Sequence, residues 1–313
     1  MCREGERYVR TSKTAALPAQ RRFRAPRGAD ATGWLFIAVA VAMIGLFYFY
    51  PMWKALLLSM QSGRGVNLQY VGFDNYVRLF TDAAFIAAVK NTFFYLAVQV
   101  PIMIMLALFI SVLLNDSKLK WRGFFRTAIF LPCVTSLVAY SVVFKYLFGG
   151  DGLVNMLLLR AGIVGEPIQW ITDPFWAKIT IVIAITWRWT GYNMIFYLSA
   201  LQNIDPSIYE AARIDGASAA KQFFRITVPL LKPIILFTSI TSTIGTLQLF
   251  DEVMNITGGG PGNATMSISQ YIYNLSFKYT PDFGYAATVS YSIVIFIVLF
   301  SVLQFKAAGD RNG

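Results

Sequence analysis

Six apolar runs, each long enough to cross a lipid bilayer, constrain this chain more than any other feature. They are Trp34–Leu58, Ile86–Leu114, Phe124–Phe148, Ala177–Leu201, Ile234–Val253 and Tyr285–Phe305. About 20 apolar residues in a helix span the hydrocarbon core. In lipid a helix satisfies its own amides and carbonyls, which an open strand cannot do. The pattern predicts an all-α integral membrane protein of six transmembrane helices. The run interiors carry Pro, Gly, Ser and Thr, as polytopic helices do. Pro51, Pro101 and Pro132 are expected to kink or end regular turns. Only 14% of the residues are charged, against about 25% in soluble domains.

The charges that remain are distributed unevenly. Lys and Arg number eighteen in or bordering the N-terminal tail, the second and fourth connections and the C-terminal tail, against six in or bordering the other three connections. By the positive-inside rule both termini face the cytoplasm. The chain then divides into a basic cytoplasmic tail over 1–33, a six-helix domain over 34–305 and a short cytoplasmic tail over 306–313. The net charge of +11 does not point to nucleic acid, because no basic stripe interleaves with aromatics and no zinc or helix-turn-helix spacing is present. The tail is read as a topology signal that is unstructured or lies on anionic lipid. The first run is too long for a signal-peptide core and lacks a convincing cleavage site, so it is read as a retained helix. There is no histidine, and Cys2 and Cys133 are too few for a metal site.

The fourth connection is larger than a turn requires. Asp205-Pro206 has the form of a helix start, with Asp as cap and Pro at the first helical position. Ile208, Ala211 and Ala212 share one face at helical spacing. Gly216 breaks the helix where a left-handed turn is cheap. Ser218 is placed to cap a second short helix, Ala219–Phe224, and Pro229 and Pro233 lead into the fifth run. The expectation is a helix–Gly–helix hairpin with an acid, Glu210, at its rim. Such a hairpin either rests on lipid or docks into a groove of another protein. Docking is favoured, because an Ala-rich face buries little apolar area in lipid and the acids would lie against anionic headgroups.

Glu210-Ala211-Ala212, three residues, Gly216, and then Ile226 and Pro229 resemble the EAA loop of ABC importer permeases, here over 203–233. The wording IDPSIYEAARIDGAS…ITVPLL is similar to the carbohydrate-uptake, maltose-type branch. Further matches follow in order along the spans: Asn91-Thr92, Arg126 with Pro132, Phe148 with Asn155, TGGGPGNAT over Thr257–Thr265, and FGYAAT over Phe283–Thr288. The resemblance implies a type I importer permease fold and coupling to a cytoplasmic ATPase through Glu210, Ala211, Ala212, Asp215 and Gly216. It implies that Glu210 pairs with an ATPase arginine, that Ala211 and Ala212 pack in a cleft, and that Gly216 permits the turn. The implied partners are a homologous second permease, two ABC ATPase subunits and an extracytoplasmic solute-binding protein, all working in membrane lipid. Laid without gaps on the maltose-type pattern, the chain places Cys133, Leu137, Arg188, Trp189, Tyr192, Gly245, Thr246 and Leu249 along the cargo path.

No phosphate-binding GxxxxGK[ST] loop is present. Thr257-Gly258-Gly259-Gly260-Pro261 lacks the lysine and a following helix, and is read as a tight extracytoplasmic turn. No nucleophile–base or paired-carboxylate constellation is evident. The chain is therefore expected to be a non-catalytic subunit that binds no cofactor, with ATP and Mg²⁺ used by the partner ATPase. Arg188 lies mid-span between two tryptophans, a depth that costs about 2.5 kcal/mol or more unless the side chain faces protein or water. It is read either as a contact to sugar hydroxyls or an anionic substrate, or as a carbonyl cap or ion pair that fixes helix packing. No acidic partner at similar depth is expected. The hydroxyl-rich fifth run, from Thr238 to Gln248, is read as a wet or closely packed face whose hydroxyls mostly bond back to the helix backbone. Other readings are a six-span secondary transporter or channel, which would call for a titratable relay, and a permease for a non-sugar solute such as a polyol phosphate.

Overall fold

In the computed structural model, which describes residues 27–64 and 67–309, the apolar runs become helices and the connections supply their caps. The chain divides into two compact units, Met1–Trp53 and Lys54–Gly313. Helix α1 (Arg27–Ile44) passes through a π-helical turn at Gly45–Phe49 into α2 (Tyr50–Ser59). The extra residue of that turn sits next to Pro51, whose ring cannot take part in a regular ladder. A short antiparallel hairpin, β1 (Gln61–Arg64) and β2 (Asn67–Tyr70), and helix α3 (Asp74–Leu79) follow. The basic tail up to residue 26, including Cys2, and the last four residues lie outside the described residues.

Helix α4 (Ala83–Asn115) starts at Asp82, whose Oδ1 accepts the amides of Ala84 and Phe85. It runs on through Pro101, so that proline does not end a helix as it was expected it could. Its last carbonyls are partly satisfied by Arg126, whose Nη2 donates to Leu114 O at 3.1 Å. The third predicted span is not one helix. It is α5 (Arg122–Val134) and α6 (Leu137–Leu147), which meet at 101°. Pro132 lies in the last turn before that break, and Ser136 starts α6 in extended backbone.

After the short α7 (Leu153–Arg160) comes α8 (Pro174–Leu201), with Asp173 accepting the amides of Phe175 and Trp176 and Pro174 in the first turn. Its 28 residues give a length of about 42 Å at 1.5 Å per residue. The polar stretch around Arg188 keeps it below the apolarity of the other long helices. Helix α8 packs along α4 and α5. At the crossing with α5 the backbones approach so closely that a Cβ on Gly191 would collide with Ile129 O.

The hairpin is α9 (Pro206–Ile214) and α10 (Ala219–Gln222), extended by a π turn at Phe223–Thr227 into α11 (Val228–Leu230). Helix α12 (Lys232–Leu247) leaves this segment at 71°. The predicted fifth span reached Val253, but regular helix stops at Leu247, and the Ser267 hydroxyl donates to Leu249 O at 2.6 Å. Beyond a π turn at Val253–Thr257, α13 (Ile268–Tyr273) and a further π turn at Asn274–Lys278 lead to α14 (Phe283–Gly309). Three described helices are long and apolar enough to cross a membrane alone, Gly33–Ser59, Ala83–Asn115 and Phe283–Ala307, and the two bent pairs raise this to five.

A polar staple ties the start of α4 to α13 and α14. Asp82 Oδ2 accepts the hydroxyls of Tyr271 and of Tyr285, the latter at 2.7 Å. Arg78 stacks 3.8 Å from the Tyr285 ring centroid and pairs with Asp282 at 2.9 Å. Burial alone would raise the pKa of Asp82, but the two hydroxyls and two amides outweigh it and hold the carboxyl below 3.8. One apolar core, with Phe85, Ala88, Leu247, Ile268 and Val289, lies beside the staple, and another, with Ala107, Met194, Tyr197, Leu201 and Leu231, lies toward the other end of α4.

Candidate functional site

Between α6, α8 and α12 lies a cavity of about 340 Å³. Leu137, Trp189, Tyr192, Gly245, Thr246 and Leu249 line it, so six of the eight residues expected along the cargo path share one wall-to-wall space. Trp189 and Tyr192 meet edge to face, with ring centroids 5.7 Å apart at 89°. Polar groups are interleaved with them. Thr246 Oγ1 donates to Gln99 Oε1 at 3.2 Å, and Asn193 donates to Trp189 O at 3.0 Å. The Asn193 carbonyl oxygen is buried and has no partner among the described residues. Apolar and aromatic walls with a few placed polar groups form the usual lining of a small-molecule site.

Cys133 and Arg188 do not line this cavity. Arg188 is 6% exposed, and its guanidinium is spent on the broken end of α5. Nη1 donates to Pro132 O at 3.1 Å and to Thr135 O at 2.9 Å, and Nη2 donates to Cys133 O at 3.2 Å. Cys133 Sγ donates back to Arg188 O at 2.8 Å. The end of a helix leaves carbonyls without amides, and in lipid each unmet carbonyl is costly. One planar guanidinium with five donors meets three of them. Of the two readings of Arg188, this geometry is the carbonyl cap. The cation also lies 4.8 Å from the Tyr140 ring centroid.

The sequence reading missed Glu252. This carboxylate is 4% exposed, lines the cavity, and lies close enough to Tyr140 and Arg188 to interact with both. The Tyr140 hydroxyl faces it without reaching the geometry of a formed hydrogen bond. The expectation that Arg188 has no acidic neighbour is thereby corrected. A signal was available: Asp251-Glu252 falls inside the run taken as the fifth span, and intramembrane carboxylates are rare and functional.

TGGGPGNAT is more than a turn. Gly258, Gly259, Gly262 and Asn263 all have positive φ, and Thr265 Oγ1 donates to Gly260 O at 2.7 Å. Asn91 donates to Asn263 O and Met266 O, and Tyr95 to Thr265 O, all within 3.0 Å. The Thr92 hydroxyl accepts the amide of Ile268. The loop is thus sewn to α4 and stands behind Leu249 of the cavity wall. Asn155 performs a similar service, accepting Trp170 Nε1 and Ile168 N and donating to Gly150 O and Ile168 O.

The second feature is the hairpin. Asp205 Oδ1 accepts Ser207 N at 2.9 Å, Ser218 caps α10, and Gly216 at φ +74° closes α9 through Gly216 N to Arg213 O and Ala217 N to Ala212 O. Positive φ at the residue after a helix, with a bond from the next amide reaching back a full turn, is a Schellman-type stop. No residue of α9 is buried. Glu210, Ala211, Asp215 and Gly216 are exposed and Ala212 is half-buried. Ile214 stands 87% exposed. Tyr209 and Thr227 bond at 3.0 Å, and Gln222 donates to Ala217 O at 2.9 Å, so the two arms are held as one piece.

Comparison with known proteins gives this geometry a family. Residues 83–307 match the family described as binding-protein-dependent transport system inner membrane component. The chain is 60% identical over 285 residues to the lactose transport system permease protein LacF of Rhizobium radiobacter, covering 90% of this chain and 96% of that one. It is 32% identical over 290 residues to the arabinooligosaccharides transport system permease protein AraP of Bacillus subtilis, covering 90% of each. In fold it is similar to a chain of a bacterial ABC transporter involved in the import of the acidic polysaccharide alginate. That match has a TM-score of 0.79 at 22% identity and covers 91% of this chain and 98% of the other. The fold is that of a type I ABC importer permease. The chain belongs to the binding-protein-dependent transport system inner membrane component family, as the integral-membrane permease of a binding-protein-dependent sugar importer.

Proposed function

We propose that this permease carries a lactose-type oligosaccharide and that it spans the membrane six times with both termini in the cytoplasm. The cargo reading rests on the 60% identity to a lactose permease and on a cavity whose aromatic pair and polar groups suit a sugar's faces and hydroxyls. The six-span reading counts α8 and the two bent pairs as spans, and the excess of Lys and Arg on alternate connections sets the orientation.

The observation that carries the mechanism is a capped, rigid hairpin with no buried residue in its first helix. In this reading α9 docks into a cleft of a cytoplasmic ATPase, with Glu210 paired to an arginine and Ala211 and Ala212 against the cleft floor. A charge-assisted pair sets register as well as affinity. Asp215 and Gly216 shape the turn that presents the helix. ATP and Mg²⁺ act in the ATPase, this chain binding neither. A homologous second permease completes the path, two ATPase subunits lie below, and a solute-binding protein delivers cargo from outside. Each partner shifts the inward-to-outward equilibrium by preferring one of its two states.

The test is the complete importer in proteoliposomes, with its binding protein. Lactose uptake and lactose-stimulated ATP hydrolysis are expected in the wild type. Glu210→Lys is expected to abolish both, or nearly so, while leaving the permease in the membrane. Normal uptake by assembled Glu210→Lys importer sinks the coupling assignment, and failure of the wild type to import lactose sinks the cargo assignment.

A further inference from the structure

The cavity wall carries charge of one sign. Glu252 and Asp251 line it, and no lysine or arginine does. Arg188, which interacts with Glu252, does not itself line the cavity; its Nη1 and Nη2 donate to the carbonyls of Pro132, Cys133 and Thr135, and its buried Nε has no partner among the described residues. Glu252 is nearly all buried, so water screens it poorly. Asn193 lines the same cavity, and its side-chain carbonyl oxygen is buried with no donor among the described residues. Both groups are acceptors that line the cavity, where a sugar hydroxyl can donate to them.

From this we propose that Glu252 is a specificity-determining residue of the cargo cavity: its carboxylate accepts hydroxyls of uncharged saccharides and repels saccharides that carry a carboxylate. The proposal rests on reading the cavity as the cargo site. It sets this chain apart from the alginate importer whose fold it shares, since that protein's cargo is acidic. Two carboxylates about 4 Å apart repel by roughly a factor of five even in a fully aqueous medium, and by more where water is excluded. An amide at position 252 keeps the shape and the acceptor oxygen and removes the repulsion.

The test uses three disaccharide derivatives that differ only at one terminal group: lactitol, uncharged; lactobionate, anionic; and 1-amino-1-deoxylactitol, cationic at neutral pH. Each is titrated, without binding protein, into the complete importer in lipid nanodiscs, and binding is read from intrinsic fluorescence, to which Trp189 contributes. The wild type is expected to bind lactobionate at least about five-fold more weakly than lactitol, and the amine no more weakly than lactitol. In Glu252→Gln the lactobionate penalty is expected to fall to about two-fold or less, and in Glu252→Asp to persist. Equal binding of lactobionate and lactitol by the wild type overturns the proposal, whether or not the variants assemble. So does an undiminished penalty in assembled Glu252→Gln. A different result strikes the underlying reading instead: if none of the three binds an importer that transports lactose with its binding protein, the cavity is not the cargo site.

Discussion

Arg188 shows how one residue carries two alternatives until its neighbours are known. A mid-span arginine between tryptophans suggests a cargo contact, yet its guanidinium serves three carbonyls at the break between α5 and α6. Arg188→Ala is expected to leave those carbonyls unmet and to cost about 3 kcal/mol or more, since breaking a buried polar network strands its remaining members. The measurement is the yield and thermal stability of assembled importer; transport per assembled complex should be retained. Full stability of the variant would mean that the cap is dispensable. At Asp82 the reasoning runs through protonation. Its folded-state pKa is depressed below 3.8 by four donors. A depressed carboxyl contributes stability that is complete above its unfolded pKa and lost as pH falls through the folded value. Asp82→Asn is therefore expected to lower stability by about 1–2 kcal/mol, by the same amount at pH 7 and at pH 5. A difference that shrinks between those two pH values, read by thermal unfolding, would contradict the assignment.

At the scale of elements, two glycines separate strain from collision. Gly216 has φ +74° and open space around it, so Gly216→Ala meets only the left-handed penalty of about 1–2 kcal/mol. Slower uptake with an intact permease is the expected result, measured as the initial rate of sugar uptake per assembled complex. Gly191 has ordinary φ, but a side chain there would strike the backbone of Ile129. Gly191→Ala must push α8 off α5, next to the Arg188 cap and the cavity. It is expected to be the more damaging change, with loss of assembled complex, although propensity alone favours alanine in a helix. The breaks in the third and fifth predicted spans belong to the same scale. A run of apolar residues states that a segment is buried in lipid, not that it is straight. Where α5 ends and where α12 stops at Leu247 depends on donors far along the chain, Arg188 and Ser267.

The molecule as a whole tests its orientation. With Cys2 and Cys133 replaced, a cysteine at Ala217 in the hairpin is expected to react with an impermeant maleimide only from the cytoplasmic face, and one at Thr172 only from the opposite face. Labelling of both from one side would refute the alternating arrangement. Membrane residence, the count of apolar runs, the orientation bias and the capped hairpin are all legible along the chain, because each depends on local composition and on spacing within a few turns. The hairpin is the clearest case: Asp205, Gly216 and Ser218 act on amides and carbonyls within four residues of themselves. The motif residues Asn91 and Asn155 were visible as a pattern, but their work was not, since their partners lie up to 175 residues away. The same holds for the charge of the cavity. Sequence alone established a membrane-embedded helical subunit with a capped helix–Gly–helix hairpin. Only the tertiary structure decided that Arg188 turns away from the cavity and Glu252 toward it, because the direction of a buried charge is set by which unpaired group lies closest in space.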